Sequence, residues 1–214
     1  MIIPTEELKQ IVEMLAKSGN TYLCEKQFQF DLAWELRKYF ESQNKKDCHV
    51  YLEYPSRDKE KDGSRIYYDI VIKENDTYCA IELKYKTSEG TAKLYGEEFD
   101  LKDQAAQDLG RYDFLKDVCR IEKFASEKKM EHGYAIFITN DKTYWERKGE
   151  GCLYQDFALN MGRDIPNSPL KWREGFKESS VGKNRTGSLT IKGKYKADWV
   201  QLNSEFQYLM FEIK

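Results

Sequence analysis

Asp69, Glu82 and Lys84 are the residues of this chain whose types and spacing could do chemistry together. Each lies in a short β-rich run, Ile-Tyr-Tyr-Asp-Ile-Val-Ile over 66 to 72 and Thr-Tyr-Cys-Ala-Ile-Glu-Leu-Lys-Tyr over 77 to 85. Two converging carboxylates hold a hard divalent cation, and an ammonium beside them orients an anion or a water molecule. Together such groups neutralise a bound anion and make a coordinated water a better nucleophile.

Whether the three groups meet is a question of register. Lys73-Glu74-Asn75-Asp76 reads as a four-residue hairpin loop, which sets Ile72 opposite Thr77 and Asp69 opposite Ala80. Asp69 then shares a face with Tyr78, Ala80, Glu82 and Lys84, and Asp69 and Glu82 form a diagonal pair about 7–8 Å apart at Cα. Glu82 and Lys84, two apart on one strand, lean the same way. The plain alternative is an ordinary ion pair on a solvated face. Against it, Ile70, Val71, Ile72, Ile81 and Leu83 make both faces apolar, so the sheet is expected to be covered. Charges placed there must be hydrated or metal-filled, since burying them dry is costly.

The elements around this hairpin follow from period and punctuation. Thr5 ahead of Glu6 and Glu7 predicts a helix near 5 to 17, stopped at Gly19. Phe28, Leu32, Leu36, Tyr39 and Phe40 predict a second helix over 26 to 43. Glu35 falls at the margin of that apolar stripe, about 20° from Phe28 on a helical wheel; Asp31 or Glu25 takes its place if the phase differs. Residues 48 to 54 alternate as a strand, 56 to 64 form a charged loop, 100 to 127 a long helix and 133 to 139 a strand buried on both faces. Residues 188 to 195 and 205 to 213 are candidate late strands, and 143 to 180 has no clear pattern. The chain reads as one domain over 1 to 214, with a core at about 26 to 139 and a C-terminal extension of uncertain structure.

Glu35 on an early helix, Asp69 in one strand and Glu82-Leu83-Lys84 in the next resemble the PD-(D/E)XK, or restriction-endonuclease-like, nuclease superfamily. The resemblance spans roughly 26 to 139. It implies an α/β fold with a central mixed sheet flanked by helices in the order αβββαβ. Tyr68 stands where the motif's proline would be. By resemblance, Asp69 and Glu82 would ligate Mg²⁺ (or Mn²⁺) with the carbonyl of Leu83, Glu35 would support the metal, and Lys84 would orient or activate the attacking water. Gln104, Gln107 and Arg111 ahead of Tyr112 are similar to the glutamine-tyrosine helical motif of RecB-like members, although five residues rather than four separate Gln107 from Tyr112. With Lys86 they are the candidate substrate contacts.

Composition narrows the rest. Histidines number 2, and no pair of the 5 cysteines has zinc-ligand spacing, so a metal here is held by oxygen. Odd, scattered cysteines, the absence of a long apolar run and a start without a basic leader predict a cytoplasmic protein that is neither exported nor membrane-bound. A net charge of -2 excludes bulk electrostatic coating of nucleic acid. The acid-free stretch 179 to 197, with Lys183, Arg185, Lys192, Lys194 and Lys196, is either a phosphate-contacting patch or a solvated loop and edge hairpin. Gly187 to Lys194 is not a Walker loop, and no Gly-x-Ser-x-Gly elbow or His-Glu-x-x-His pair occurs. The expectation is a nuclease whose partner is nucleic acid, DNA first, with a second copy or a partner protein selecting the substrate. The alternatives are a catalytically silent nuclease-fold module that binds nucleic acid or protein, and an immunity or scaffolding protein.

Overall fold

The computed structural model describes residues 2 to 17, 22 to 94, 96 to 177, 179 and 183 to 214. Helices α1 (Thr5–Lys17) and α2 (Glu25–Ser42) precede strands β1 (Cys48–Lys59), β2 (Arg65–Glu74) and β3 (Thr77–Lys86). A hairpin of β4 (Gly90–Leu94) and β5 (Glu97–Leu101) leads to α3 (Gln107–Glu127), β6 (Gly133–Thr139) and α4 (Thr143–Glu146). The two-residue strands β7 (Asp164–Ile165), β8 (Pro169–Leu170), β9 (Leu189–Thr190), β10 (Tyr195–Lys196) and β11 (Val200–Gln201) precede β12 (Gln207–Ile213).

One six-stranded sheet in the order β1-β2-β3-β6-β12-β11 organises the molecule. β1, β2 and β3 are antiparallel neighbours, β6 runs parallel to β3, and β12 returns antiparallel to β6. The parallel step requires a crossover, which α3 provides. The expected mixed sheet flanked by helices is present, with the β4–β5 hairpin inserted between the third strand and the crossover helix.

Each face of the sheet is covered. α1 and α2 pack on Ile70, Ile72, Cys79, Ile81 and Leu83 through Leu8, Val12, Phe28, Leu32 and Leu36. α3 packs on Val71, Ala80, Ala135 and Phe137 through Phe114, Leu115, Val118 and Ile121. β6, central and parallel to a neighbour, is buried at every position, as its unbroken apolar run predicts.

Several expected boundaries move. The charged loop at 56 to 64 is shorter, because β1 continues to Lys59. The long helix starts at Gln107, not near 100: Leu101 pairs with Gly90, the Gln104 N–H donates to the Thr87 carbonyl, and Ala106 is left-handed at φ 67°. Gly110 does not break α3; it lets the Tyr144 hydroxyl approach to 2.3 Å from where a Cβ would sit. The late strand expected over 188 to 195 is two fragments, β9 with β8 and β10 with β7. No helix among the described residues is long and apolar enough to cross a membrane.

The C-terminal extension packs over α3 with Phe157, Leu159, Leu170, Ile191, Tyr195 and Trp199. Buried Glu122 of α3 anchors it, accepting from the N–H groups of Lys192 and Gly193 and from the Tyr195 hydroxyl. In the basic stretch 179 to 197, then, the backbone at 192 and 193 faces a carboxylate. Glu122→Ala strands these donors, each unmade bond costing about 1–3 kcal/mol. Urea unfolding should show a loss of roughly 2–4 kcal/mol; a loss near zero would mean that this anchor does not hold the extension.

Candidate active site

Asn75 and Asp76 make a two-residue turn, with Asn75 left-handed at φ 55°, a conformation asparagine tolerates. Glu74 therefore faces Thr77, Ile72 faces Cys79, Val71 faces Ala80 and Ile70 faces Ile81. This is two residues away from the four-residue-loop register. Side chains alternate with period two, so the slide leaves faces unchanged and alters only partners. Continued one step, the pairing sets Asp69 directly opposite Glu82 instead of diagonal to it.

The ladder stops at that step. The Leu83 N–H donates to Asp69 Oδ2 at 2.7 Å, and the Asp69 N–H donates to Glu82 Oε2 at 3.3 Å. Carboxylates thus stand where the next main-chain rungs would be. The amide and carbonyl of one strand residue point to the same edge, so the Leu83 carbonyl is directed at the same gap.

Two neighbours hold the break open. Glu53 in β1 lies between the pairs Leu52–Ile70 and Tyr54–Tyr68, at the level of Asp69, and is left-handed at φ 50°. The register passes Glu53 without an extra residue, yet Tyr54 packs on the α3 side although Cys48 and Val50 pack on the α2 side, so the regular alternation expected over 48 to 54 fails at this left-handed residue. Buried Gln29 of α2 donates from Nε2 to the Asp69 carbonyl at 2.6 Å and to Glu53 Oε1 at 2.9 Å. Lys26 also pairs with Glu53.

On the other side α3 presents a charged stripe, Asp113, Lys116, Asp117 and Arg120, at the three- and four-residue spacing of one helix face. Lys84 Nζ lies 3.3 Å from Asp117 Oδ2, and Arg120 Nη1 lies 2.9 Å from Asp117 Oδ1 and 3.8 Å from Glu82 Oε1. Lys116 and Arg120 both pair with Glu60, from the tip of the β1–β2 hairpin. A cavity of about 240 Å³ opens over this stripe, lined also by Lys84, Asn184 and Arg185.

The electrostatics follow from burial. Glu82 is 3% exposed, and its Oε1 has no hydrogen-bond partner. Burial, then the carboxylates of Asp117 and Asp69, push the Glu82 carboxyl well above its ordinary value against the pull of Arg120. Burial likewise raises Asp69 to about 6, with the Leu83 amide opposing and Glu25 and Asp117 adding to the rise. Burial alone would lower the Lys84 ammonium, but Asp117, Glu25, Asp113 and Asp69 outweigh it and hold Lys84 above its usual value, protonated at neutral pH. Lys86 is lowered by burial and by Lys84 beside it.

The donor set bears on whether a metal fits. Among the described residues no three carboxylate, histidine or cysteine side chains stand close enough to share an ion. Asp69, Glu82 and the Leu83 carbonyl supply three oxygens, with an unpartnered buried carboxylate oxygen among them. That suits a hard cation such as Mg²⁺, which keeps several waters and needs only one or two carboxylates.

Not every candidate is brought here. Glu35 is not at the cluster: it pairs with Lys38 on the helix surface at 2.9 Å, ten residues or about 15 Å along α2 from Glu25. Glu25 is the acid of α2 that reaches the site, accepting from the Tyr85 N–H at 2.9 Å and raising both Asp69 and Lys84. Asp31 faces Tyr22 instead. Gln104 precedes α3, and Gln107 and Arg111 line a separate cavity. Arg111 stands about 200° around the helix from Asp113 and 180° from Arg120. Gln29, Lys116, Asp117 and Arg120 carry no sequence motif; their signal is the polar remainder of helices whose apolar stripes are plain.

A raised carboxyl pKa makes folding less favourable as pH climbs from the unfolded value near 4 to the folded value near 6, because the folded chain keeps a proton that the unfolded chain releases. Asp69→Asn retains the acceptor for the Leu83 amide and removes the charge. Without divalent metal it should therefore be more stable than wild type by about 1–3 kcal/mol at pH 7 and by little at pH 4. Thermal melts across that range check this; a variant less stable at pH 7 would mean that Asp69 is charge-compensated within the fold. No family model, curated protein or solved structure matches this chain.

Proposed function

We propose that the protein is a divalent-metal-dependent nuclease hydrolysing phosphodiester bonds of nucleic acid, with Asp69, Glu82 and the Leu83 carbonyl as metal ligands. The observation that carries this is the opened rung between β2 and β3, where the buried Glu82 carboxyl meets the half-buried Asp69 carboxyl, with Lys84 two residues on and Glu82 Oε1 without a hydrogen-bond partner. The order of one helix, three antiparallel strands, a crossover helix and a strand parallel to the third supports a restriction-endonuclease-like core.

When bound, the cation would neutralise charge on the phosphodiester and make water a better nucleophile. The chain's own residues prepare that site. Gln29 fixes the Asp69 backbone from α2, and the Leu83 amide orients the Asp69 carboxylate. Lys84, held protonated, is a donor and a counter-charge for a phosphate oxygen or the attacking water, not a proton acceptor. Glu25 takes the supporting role expected of Glu35. Lys86, Lys116, Arg120 and Arg185 offer cations for the phosphates that flank the cleaved one. DNA is the first substrate to assay.

One observation favours a second reading, a nucleic-acid-binding module without cleavage: Arg120 and Lys84 already offset part of the acidic charge, and among the described residues no three carboxylates stand close enough to share an ion. Cleavage assays with Mg²⁺ or Mn²⁺ on single- and double-stranded DNA and RNA separate the two. Wild type should cut, Asp69→Ala and Lys84→Ala should lose on the order of 10²-fold or more, and Glu25→Gln about tenfold. Glu35→Ala should cut as wild type does. Equal nicking by wild type and Asp69→Ala would remove the enzyme, and metal-independent binding without cutting would establish the module.

A further inference from the structure

On the face of α3 turned away from the acidic pair, a cavity of about 500 Å³ is lined by Gln107, Asp108, Arg111, Thr143, Arg147 and Tyr154. Its chemistry is unusual for a folded interior. Arg111 is 1% exposed, and its guanidinium is held between the Tyr144 and Tyr154 rings, 4.6 Å from each centroid. One nitrogen, Nη2, donates to the Thr143 carbonyl at 2.5 Å, while Nε is buried without a partner. Among the described residues no carboxylate forms an ion pair with it; Asp141, the nearest influence of that sign, spends Oδ1 on the Thr143 amide. In the lining the buried Thr143 hydroxyl also lacks a hydrogen-bond partner, and the Tyr154 hydroxyl has only the Cys152 thiol beside it. A buried cation with no counter-ion and a set of unmade hydrogen bonds is costly unless something polar completes it.

The place adds a second attraction. The cavity sits at the first turn of the 21-residue α3, where Ala106 gives no side-chain cap and Asp108 Oδ1 takes the Leu109 amide. Helix N-termini present unbonded amides and a partial positive charge to anions. Arg147 at the rim brings a further cation, opposed by Asp108 alone among the lining residues.

We infer that this cavity is a binding site for a phosphate group, with Arg111 as its counter-cation and the hydroxyls of Thr143 and Tyr154 as further hydrogen-bonding partners. A tetrahedral oxyanion offers enough acceptors for a guanidinium, two hydroxyls and helix amides together, which a carboxylate does not. Leu153, Cys152 and the Tyr154 ring leave an apolar wall for the body of a phosphate ester. The inference is independent of cleavage, since the cavity and the acidic pair occupy opposite faces of α3.

The test is a thermal-melt and calorimetric titration of the full chain with inorganic phosphate, matched at every step with chloride of equal ionic strength and with acetate. Wild type should show a saturable rise in Tm with phosphate that exceeds both controls. Thr143→Val removes an unpartnered hydroxyl, so it should melt no lower than wild type in chloride yet bind phosphate at least about threefold more weakly. Arg111→Gln should lose the saturable rise; if that variant does not fold, Thr143→Val still decides. An equal, non-saturating rise in wild type and Arg111→Gln would mark a general salt effect and overturn the site. So would acetate matching phosphate, or unchanged affinity in Thr143→Val.

Discussion

The buried Glu82 carboxyl set against the half-buried Asp69 carboxyl at a missing rung of the β2–β3 ladder is the constraint around which this molecule is arranged. Left alone, such a pair repels itself and lacks solvent, and each carboxyl is driven toward its protonated form. The fold tolerates it through placed compensation. The Leu83 amide bonds one carboxylate, Lys84 and Arg120 stand at its edge, and Gln29 bonds both the Asp69 carbonyl and the left-handed Glu53 beside the gap. None of these devices abolishes the charge, and a buried oxygen of Glu82 stays without a hydrogen bond. Strain and unmet charge concentrated at one point in an otherwise well-packed sheet are what a binding or catalytic site is expected to cost.

α3 links this point to the rest. Its apolar face covers β3 and β6, its stripe from Asp113 to Arg120 supplies the counter-charges, and Glu122 anchors the C-terminal segment. Its opposite side holds Arg111 between two tyrosines. A single helix thus bears on the acidic pair, the basic cavity above it and the lone guanidinium behind it.

Much of the central arrangement was legible in the sequence because period-two alternation is robust. The Asn75-Asp76 turn moved the register by two residues, and Asp69, Glu82 and Lys84 still converged; a slip of one would have parted them. The long apolar runs located β6 and the two core-facing helices. Other features were illegible for physical reasons. Helix phase favoured Glu35, but phase alone does not say how far along its axis a helix crosses a strand, and the acid that meets the Tyr85 amide is Glu25, ten residues earlier. Charged residues at i, i+3 and i+4 look alike whether they face water or a buried acid, which hid Asp117 and Arg120. Arg111 read as a surface contact because nothing local indicates that the C-terminal segment, with Tyr144 and Tyr154, closes over it.

The most direct measurement of the central claim is the anomalous difference density of crystals grown with Mn²⁺. One strong peak is expected in the gap between β2 and β3, within coordination distance of Asp69 Oδ, Glu82 Oε and the Leu83 carbonyl, at about 2.0–2.2 Å. A map without a peak there, with Glu82 still facing Arg120 and the Asp69 carboxylate still accepting from the Leu83 amide, would contradict that claim.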